Sequence, residues 1–255
     1  MLKARRAKGA AMNRRESFQR TTMSSLVGAI PFAFPPTGKA HPAPILDNSG
    51  SNEPVGAILL KAPDGDSIPV AFVISEGAVI MDVCGPWQVF EGVEVSGRKA
   101  DTFHLYTVAD TKNPVCASGG IRIFPDYTFE TAPKPKVIVV PAQNGSTAAM
   151  LDWIRNSMRS ADVTMSVCTG TFILTHTGLL SGKAADTPHN SYESFALQFP
   201  EIRVEHGARF VEVGNVAIAG GLSSGIDLAL HMVKRYLGRE TASKTDCQME
   251  YGGQS

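Results

Sequence analysis

From residue 68 onward, short apolar runs rich in β-branched residues alternate with longer stretches whose apolar positions recur every three to four residues. Residues 68–74 (IPVAFVI), 102–108, 137–141 (VIVVP), 163–167, 208–212 and 215–219 read as strands. The unbroken apolar character of 137–141 is that of a strand covered on both faces, as in a parallel sheet. Residues 82–93, 148–160, 169–180 and 195–199 read as helices, the first with Trp87, Val89 and Phe90 along it and Pro86 near its first turn. A last helix spans 224–237 and is stopped by Gly238. This alternation predicts one α/β domain, a mostly parallel doubly wound sheet with helices on both faces, whose chemistry sits at the carboxyl ends of the strands.

Composition changes the picture in one respect. With 43% hydrophobic and 19% charged residues the chain is an ordinary globular one, and its 24 basic and 24 acidic side chains balance. The balance hides an asymmetry: residues 1–40 carry eight basic groups against Glu16 alone, a charge of +7, so the rest of the chain carries −7. An acidic domain excludes a uniformly basic nucleic-acid binder. No apolar run reaches the roughly 20 residues of a membrane span. The four cysteines (Cys84, Cys116, Cys168, Cys247) form no Cys-x-x-Cys pair, so neither a zinc site nor a disulfide scaffold is expected, and Cys84, Cys116 and Cys247 read as packing residues. His104, His176, His206 and His231 show no ligand spacing; no metal and no cofactor are expected.

The basic segment has the layout of an export signal. Arg14-Arg15-Glu16-Ser17-Phe18 precedes a weakly apolar stretch with Leu26, Val27, Ile30 and Phe32, then the small residues Gly38 and Ala40. Paired arginines resemble a twin-arginine signal, with Met12 a second candidate start, and imply export to the periplasm. Ser17 stands where that signal usually has Phe, and a basic arm on a cytoplasmic protein is the alternative. The expected division is therefore a signal over 1–40, a Pro-, Gly- and Asn-rich linker over 41–66, and a domain over 67–251.

Ser166-Val167-Cys168-Thr169-Gly170-Thr171 falls where a strand ends and a helix begins. A nucleophile at such an elbow needs a small residue close behind it, which Gly170 supplies. Amide groups of the new helix facing the sulfur, with the helix dipole, predict a depressed thiol pKa and a resident thiolate at Cys168. The alternative is a buried core cysteine.

Five segments, in order, resemble the ThiJ/PfpI superfamily: Met81-Asp82-Val83-Cys84-Gly85-Pro86-Trp87-Gln88-Val89-Phe90; Val140-Pro141-Ala142-Gln143; Ser166-Val167-Cys168-Thr169-Gly170; Gly178-Leu179-Leu180-Ser181-Gly182-Lys183; and 220–230, which opens Gly220-Gly221-Leu222. The resemblance implies the class I glutamine-amidotransferase-like fold, a flavodoxin-like three-layer α/β sandwich, and is nearest the isonitrile hydratase branch. It also implies roles: Cys168 attacks the isonitrile carbon, the Asp82 carboxyl shuttles protons, Thr169 is required, water releases an N-substituted formamide, and the protein is a homodimer. A carboxyl buried beside a thiol should have a raised pKa, which suits Asp82 to that work; Asp82 also reads as a helix N-cap.

The pattern departs from the family in places. Thr169 replaces the His that follows the cysteine in many members, among them proteases. Pro188 stands where relatives carry the first His of the downstream loop, leaving His189 one residue later, either in the pocket or on an exposed loop. Pro141-Ala142-Gln143 replaces Pro-Gly-Gly, so the amides of Ala142 and Gln143, with Gly170 behind the elbow, are the expected oxyanion donors. Asp227 reads as a cap of the last helix. A small-molecule hydratase working through a cysteine adduct leads; a ligand- or oxidant-sensing domain and glyoxalase-like chemistry on aldehydes are the alternatives.

Overall fold

In the computed structural model, residues 59–61, 67–96 and 101–252 are described; the expected signal, and the linker apart from residues 59–61, lie outside them. The core is a seven-stranded sheet. Five parallel strands form its centre: β1 (Ile68–Val73), β2 (Phe103–Ala109), β6 (Val137–Val140), β7 (Val163–Val167) and β11 (Val216–Ala219). Between β2 and β6 the chain makes no α-helix; it forms the antiparallel pair β3 (Val115–Cys116) and β4 (Arg122–Ile123), and then β5 (Tyr127–Thr128), parallel to β2 at one edge. β8 (Ala184–Ala185) and β9 (Arg203–Val204) pair apart from the main sheet, and β10 (Phe210–Val213) runs antiparallel to β11 at the other edge. The order β10-β11-β7-β6-β1-β2-β5 contains the flavodoxin-like arrangement expected from the resemblance.

The strands hold because successive side chains serve opposite faces. Val70, Phe72, Val137, Val139, Met165, Ala217 and Ala219 join one core, against α1 (Ile80–Glu91) and α5 (Ser224–Leu237). Ala71, Val73, Ile138, Val140 and Ile218 join the other, against α2 (Ala148–Ser157), α3 (Gly170–His176) and α4 (Tyr192–Gln198). Burial on both faces is why these strands read as unbroken apolar runs.

The sequence reading differs from the structure mainly at helix ends. α1 begins two residues before the expected start, which puts Pro86 in the helix interior, where it denies the Asp82 carbonyl its usual donor. α3 is shorter than 169–180: it stops at His176, and Gly178 turns the chain with φ 80°. Gly238 does stop α5, with φ 88°, but a further helix, α6 (Arg239–Gln248), starts at once and was not expected. Its sequence is mostly polar, with only Thr245 buried, so it carries little apolar periodicity to read. No helix among the described residues is long and apolar enough to cross a membrane.

Candidate active site

Cys168 occupies a sharp bend at the carboxyl end of the central strand β7. Its φ of 58° lies in the left-handed region that L-residues avoid. The surroundings hold it there: the Cys168 amide donates to the Ala219 carbonyl (2.9 Å), tying the bend to the end of β11. Gly170 then passes so close to the backbone of β6 that a Cβ on it would collide with the Val140 carbonyl oxygen and touch Pro141. A tight bend, a strained nucleophile and an obligatory glycine make this a nucleophile elbow, as the sequence predicts.

Asp82 comes to this bend from α1, 86 positions earlier in the chain. It is fully buried. It does not cap α1, whose N-cap is Val79; instead its Oδ2 accepts the Ala142 amide (3.1 Å), and its Oδ1 is buried with no hydrogen-bond partner. Burial pushes its pKa up from 3.8 to about 7 despite the lowering effect of that hydrogen bond. α1 approaches closely because Gly85 faces Ile226, and Gly225 of α5 faces Val167 and Pro86.

The expected resident thiolate is not what the site holds. Burial first and the Asp82 carboxylate second push the Cys168 thiol up to about 11, against the lowering effect of the amide and hydroxyl of Thr169. The helix dipole loses because α3 has only seven residues, whereas desolvation and a neighbouring like charge act at full strength in the interior. At neutral pH Cys168 is therefore a thiol, beside a carboxyl whose pKa lies near neutrality. Thr169, placed before α3 without a side-chain capping bond, directs both its polar groups at the sulfur.

The expected oxyanion donors fare differently. The Ala142 amide is consumed by Asp82. The Gln143 side chain turns inward, its Nε2 donating to the Val73 carbonyl (3.2 Å). Gly170 is buried against β6. None of the three lines the cleft of about 470 Å³ that opens over Cys168 and Thr169. His189 does line it, on a single 3₁₀ turn and exposed, so both readings of that residue hold.

Several cleft residues escaped the sequence reading. Asp186 is 2% exposed and Thr187 1%, and both line the cleft. Tyr192 and Arg209 complete the polar wall. Arg209 is held by Asp227 (Nε–Oδ2 2.7 Å) and by the Tyr251 hydroxyl (3.0 Å), so Asp227 serves as an ion-pair partner rather than a helix cap. Such residues carry no local signal, because loops brought together only by the fold place them. A second hollow of about 430 Å³ lies beyond β1, β2 and β6, with Glu76 accepting the Cys116 amide and Asp110 accepting the Thr147 hydroxyl; it contains no nucleophilic sulfur.

Cys84, Cys116 and Cys247 are free and exposed, not packing residues as expected: their positions on α1, β3 and α6 face away from both cores. His231 is structural, paired with Glu212 (2.9 Å). No cluster of potential metal ligands occurs among the described residues.

Comparison with known proteins agrees with this geometry. The chain is 32% identical over 190 residues to an isonitrile hydratase of Pseudomonas putida, covering 72% of this chain and 79% of that protein. It is 26% identical over 175 residues to the HTH-type transcriptional regulator CdhR of Pseudomonas aeruginosa, 67% of this chain but only about half (52%) of the regulator. Among solved structures, a THiJ/PfpI family protein from Pseudomonas syringae superposes with a TM-score of 0.63 at 25% identity, over 74% of this chain and 77% of that one. Drosophila melanogaster DJ-1beta shares the fold, with a TM-score of 0.62 at 18% identity over 72% of this chain and 98% of its own. The DJ-1/PfpI family pattern itself matches residues 69–235, which contain the elbow, the buried carboxyl and every residue of the cleft, and the chain belongs to the DJ-1/PfpI family.

Proposed function

We propose that the domain hydrates small isonitriles through a covalent adduct on Cys168, releasing N-substituted formamides. The observation that carries this reading is an elbow thiol paired with a fully buried carboxyl whose pKa lies near neutrality. A group with pKa about 7 accepts a proton and returns it under the same conditions. As the carboxylate, Asp82 takes the Cys168 proton while sulfur attacks the terminal isonitrile carbon. As the acid so formed, it delivers that proton to the same carbon, giving R–N=CH–S–Cys168. The carboxylate is regenerated, so the step adds no net charge to the interior. The Thr169 amide and hydroxyl stabilise the sulfur while it carries negative charge. Water then adds to the imidate carbon and the C–S bond breaks, leaving R–NH–CHO and the thiol. Similarity to an isonitrile hydratase supports the choice of electrophile.

The test is incubation with an alkyl isonitrile and detection of the formamide, with Cys168→Ala as control. Product above that control is expected; product equal to it removes the hydratase reading. Similarity to a transcriptional regulator supports a second reading, in which the cleft binds a small ligand without turning it over; saturable binding of an isonitrile with neither adduct nor formamide would favour it. Oxidant sensing is the weaker variant, because a thiol with pKa about 11 reacts slowly with peroxide. Export through the basic segment belongs to the same proposal and is checked by cell fractionation of the full chain.

A further inference from the structure

A second buried carboxyl, Asp186, lines the cleft over Cys168. In the sheet β7 lies between β6 and β11. The Asp82 carboxyl sits at the β6 end, on the amide of Ala142, which follows that strand. The Asp186 carboxyl sits at the β11 end, packed so closely on Gly220 that a Cβ there would collide with both its oxygens. Asp82 acts on the sulfur directly, while Asp186 shares the cleft wall with Cys168. They differ in access: Asp186 lines the cleft and Asp82 does not.

The loop carrying Asp186 is fastened to the elbow. The Thr171 hydroxyl, in the first turn of α3, donates to the Asp186 carbonyl (2.9 Å) and also contacts the Cys168 carbonyl (3.2 Å). Asp186 Oδ1 accepts the Thr187 amide (2.8 Å), and the Tyr192 hydroxyl holds the carboxyl from the cleft wall. Next to it, the Thr187 hydroxyl is buried in the same wall and has no hydrogen-bond partner in the protein. A buried polar group normally has a partner. A carboxyl and an unpartnered hydroxyl on consecutive residues, facing a cleft beside a nucleophile, form a seat for one water molecule.

We propose that Asp186, with Thr187, seats and deprotonates the water that hydrolyses the Cys168 adduct, so that Asp82 serves the first half of the reaction and Asp186 the second. The proposal rests on the hydratase reading. The water oxygen bonds to the imidate carbon of R–N=CH–S–Cys168 while Asp186 takes one of its protons and passes it to the nitrogen, giving R–NH–CH(OH)–S–Cys168. The C–S bond then breaks, the hydroxyl proton returns to sulfur through the carboxyls, and R–NH–CHO leaves. Water is the single co-reactant. Burial raises the Asp186 pKa from its ordinary value, against the Thr187 amide, the Tyr192 hydroxyl and His206, and with Glu205 adding; this strengthens the base.

Intact-mass kinetics of the full chain with an alkyl isonitrile separates the two halves. Wild type should form adduct and turn over. Asp186→Asn should form adduct at the wild-type rate and accumulate it, with formamide release slowed at least about a hundredfold. Tyr192→Phe, which removes a hydroxyl lowering the Asp186 pKa and leaves the fold's interior untouched, should shift the acidic limb of the release rate to higher pH. Adduct and turnover in wild type together with undiminished release in Asp186→Asn overturn this assignment alone. So do loss of adduct formation in a folded Asp186→Asn and an unmoved limb in Tyr192→Phe. Absence of any adduct in wild type overturns the hydratase reading beneath it.

Discussion

The interior sets the proton affinities of Asp82 and Cys168, raising both. Because the Asp82 carboxylate raises the thiol pKa, Asp82→Asn should make Cys168 more reactive toward iodoacetamide at pH 8–9, since the thiolate fraction rises. The same variant should lose isonitrile adduct formation, since the carboxyl acting directly on the sulfur is gone and Asp186 serves the later water step. Alkylation slower than wild type would remove Asp82 from the vicinity of the sulfur. Asp82 also links stability to pH. Its folded pKa, about 7, lies above the unfolded 3.8, so its favourable contribution is complete below about pH 4 and is lost as pH rises through 7. Asp82→Asn should therefore be more stable than wild type at pH 8 by up to about 4 kcal/mol, a margin that vanishes near pH 4 in urea denaturation.

At the scale of the element, the elbow stores strain that its neighbours maintain. Cys168 holds φ 58° because its amide is tied to Ala219 and Gly170 is wedged against β6. Glycine is the residue that accepts such a conformation freely, so Cys168→Gly should be more stable than Cys168→Ala by about 1 kcal/mol, the reverse of the usual order. An equal or opposite ranking in thermal unfolding would mean that the bend is relaxed. Gly170→Ala should cost several kcal/mol, about 2–4, because the obstructing atom is a backbone carbonyl that cannot rotate away. The expected glycine behind the nucleophile is thus present for close approach rather than for an unusual φ, since Gly170 does not have one.

Across the whole domain, the antiparallel edge strand is secured by charge rather than by apolar burial alone. Glu212 of β10 accepts His231 (2.9 Å) and Arg235 (2.7 Å), both from α5, and all three side chains are at most 11% exposed. Burial raises the Glu212 pKa, but these two partners outweigh it and the net shift is downward. A lowered folded pKa contributes stability above the unfolded value of 4.5 that is lost as pH falls through the folded one. Glu212→Gln should destabilise the domain by about 3–5 kcal/mol at pH 7, since it removes the buried charge that both His231 and Arg235 contact. A change below 1 kcal/mol would show that water enters this cluster. Arg209, Asp227 and Tyr251 make a more exposed counterpart that ties the segment after α6 to the cleft wall.

Local pattern alone determined the strands β1, β2, β6, β7 and β11, the helices α1 to α5 in outline, and the elbow at Cys168, because two-face burial demands apolar runs and a strand-to-helix bend demands Gly170. The resemblance added Asp82 and Thr169, and the structure brings both to the sulfur. What tertiary structure decided is everything that depends on distant segments meeting. It raised the thiol pKa instead of lowering it, since desolvation and a carboxylate from α1 outweigh a seven-residue helix. It gave the Ala142 amide to Asp82 and set Asp186 and Thr187 in the cleft wall with Cys168. A residue's charge state depends on solvent exclusion and on neighbours in space, and neither is written in the order of the residues.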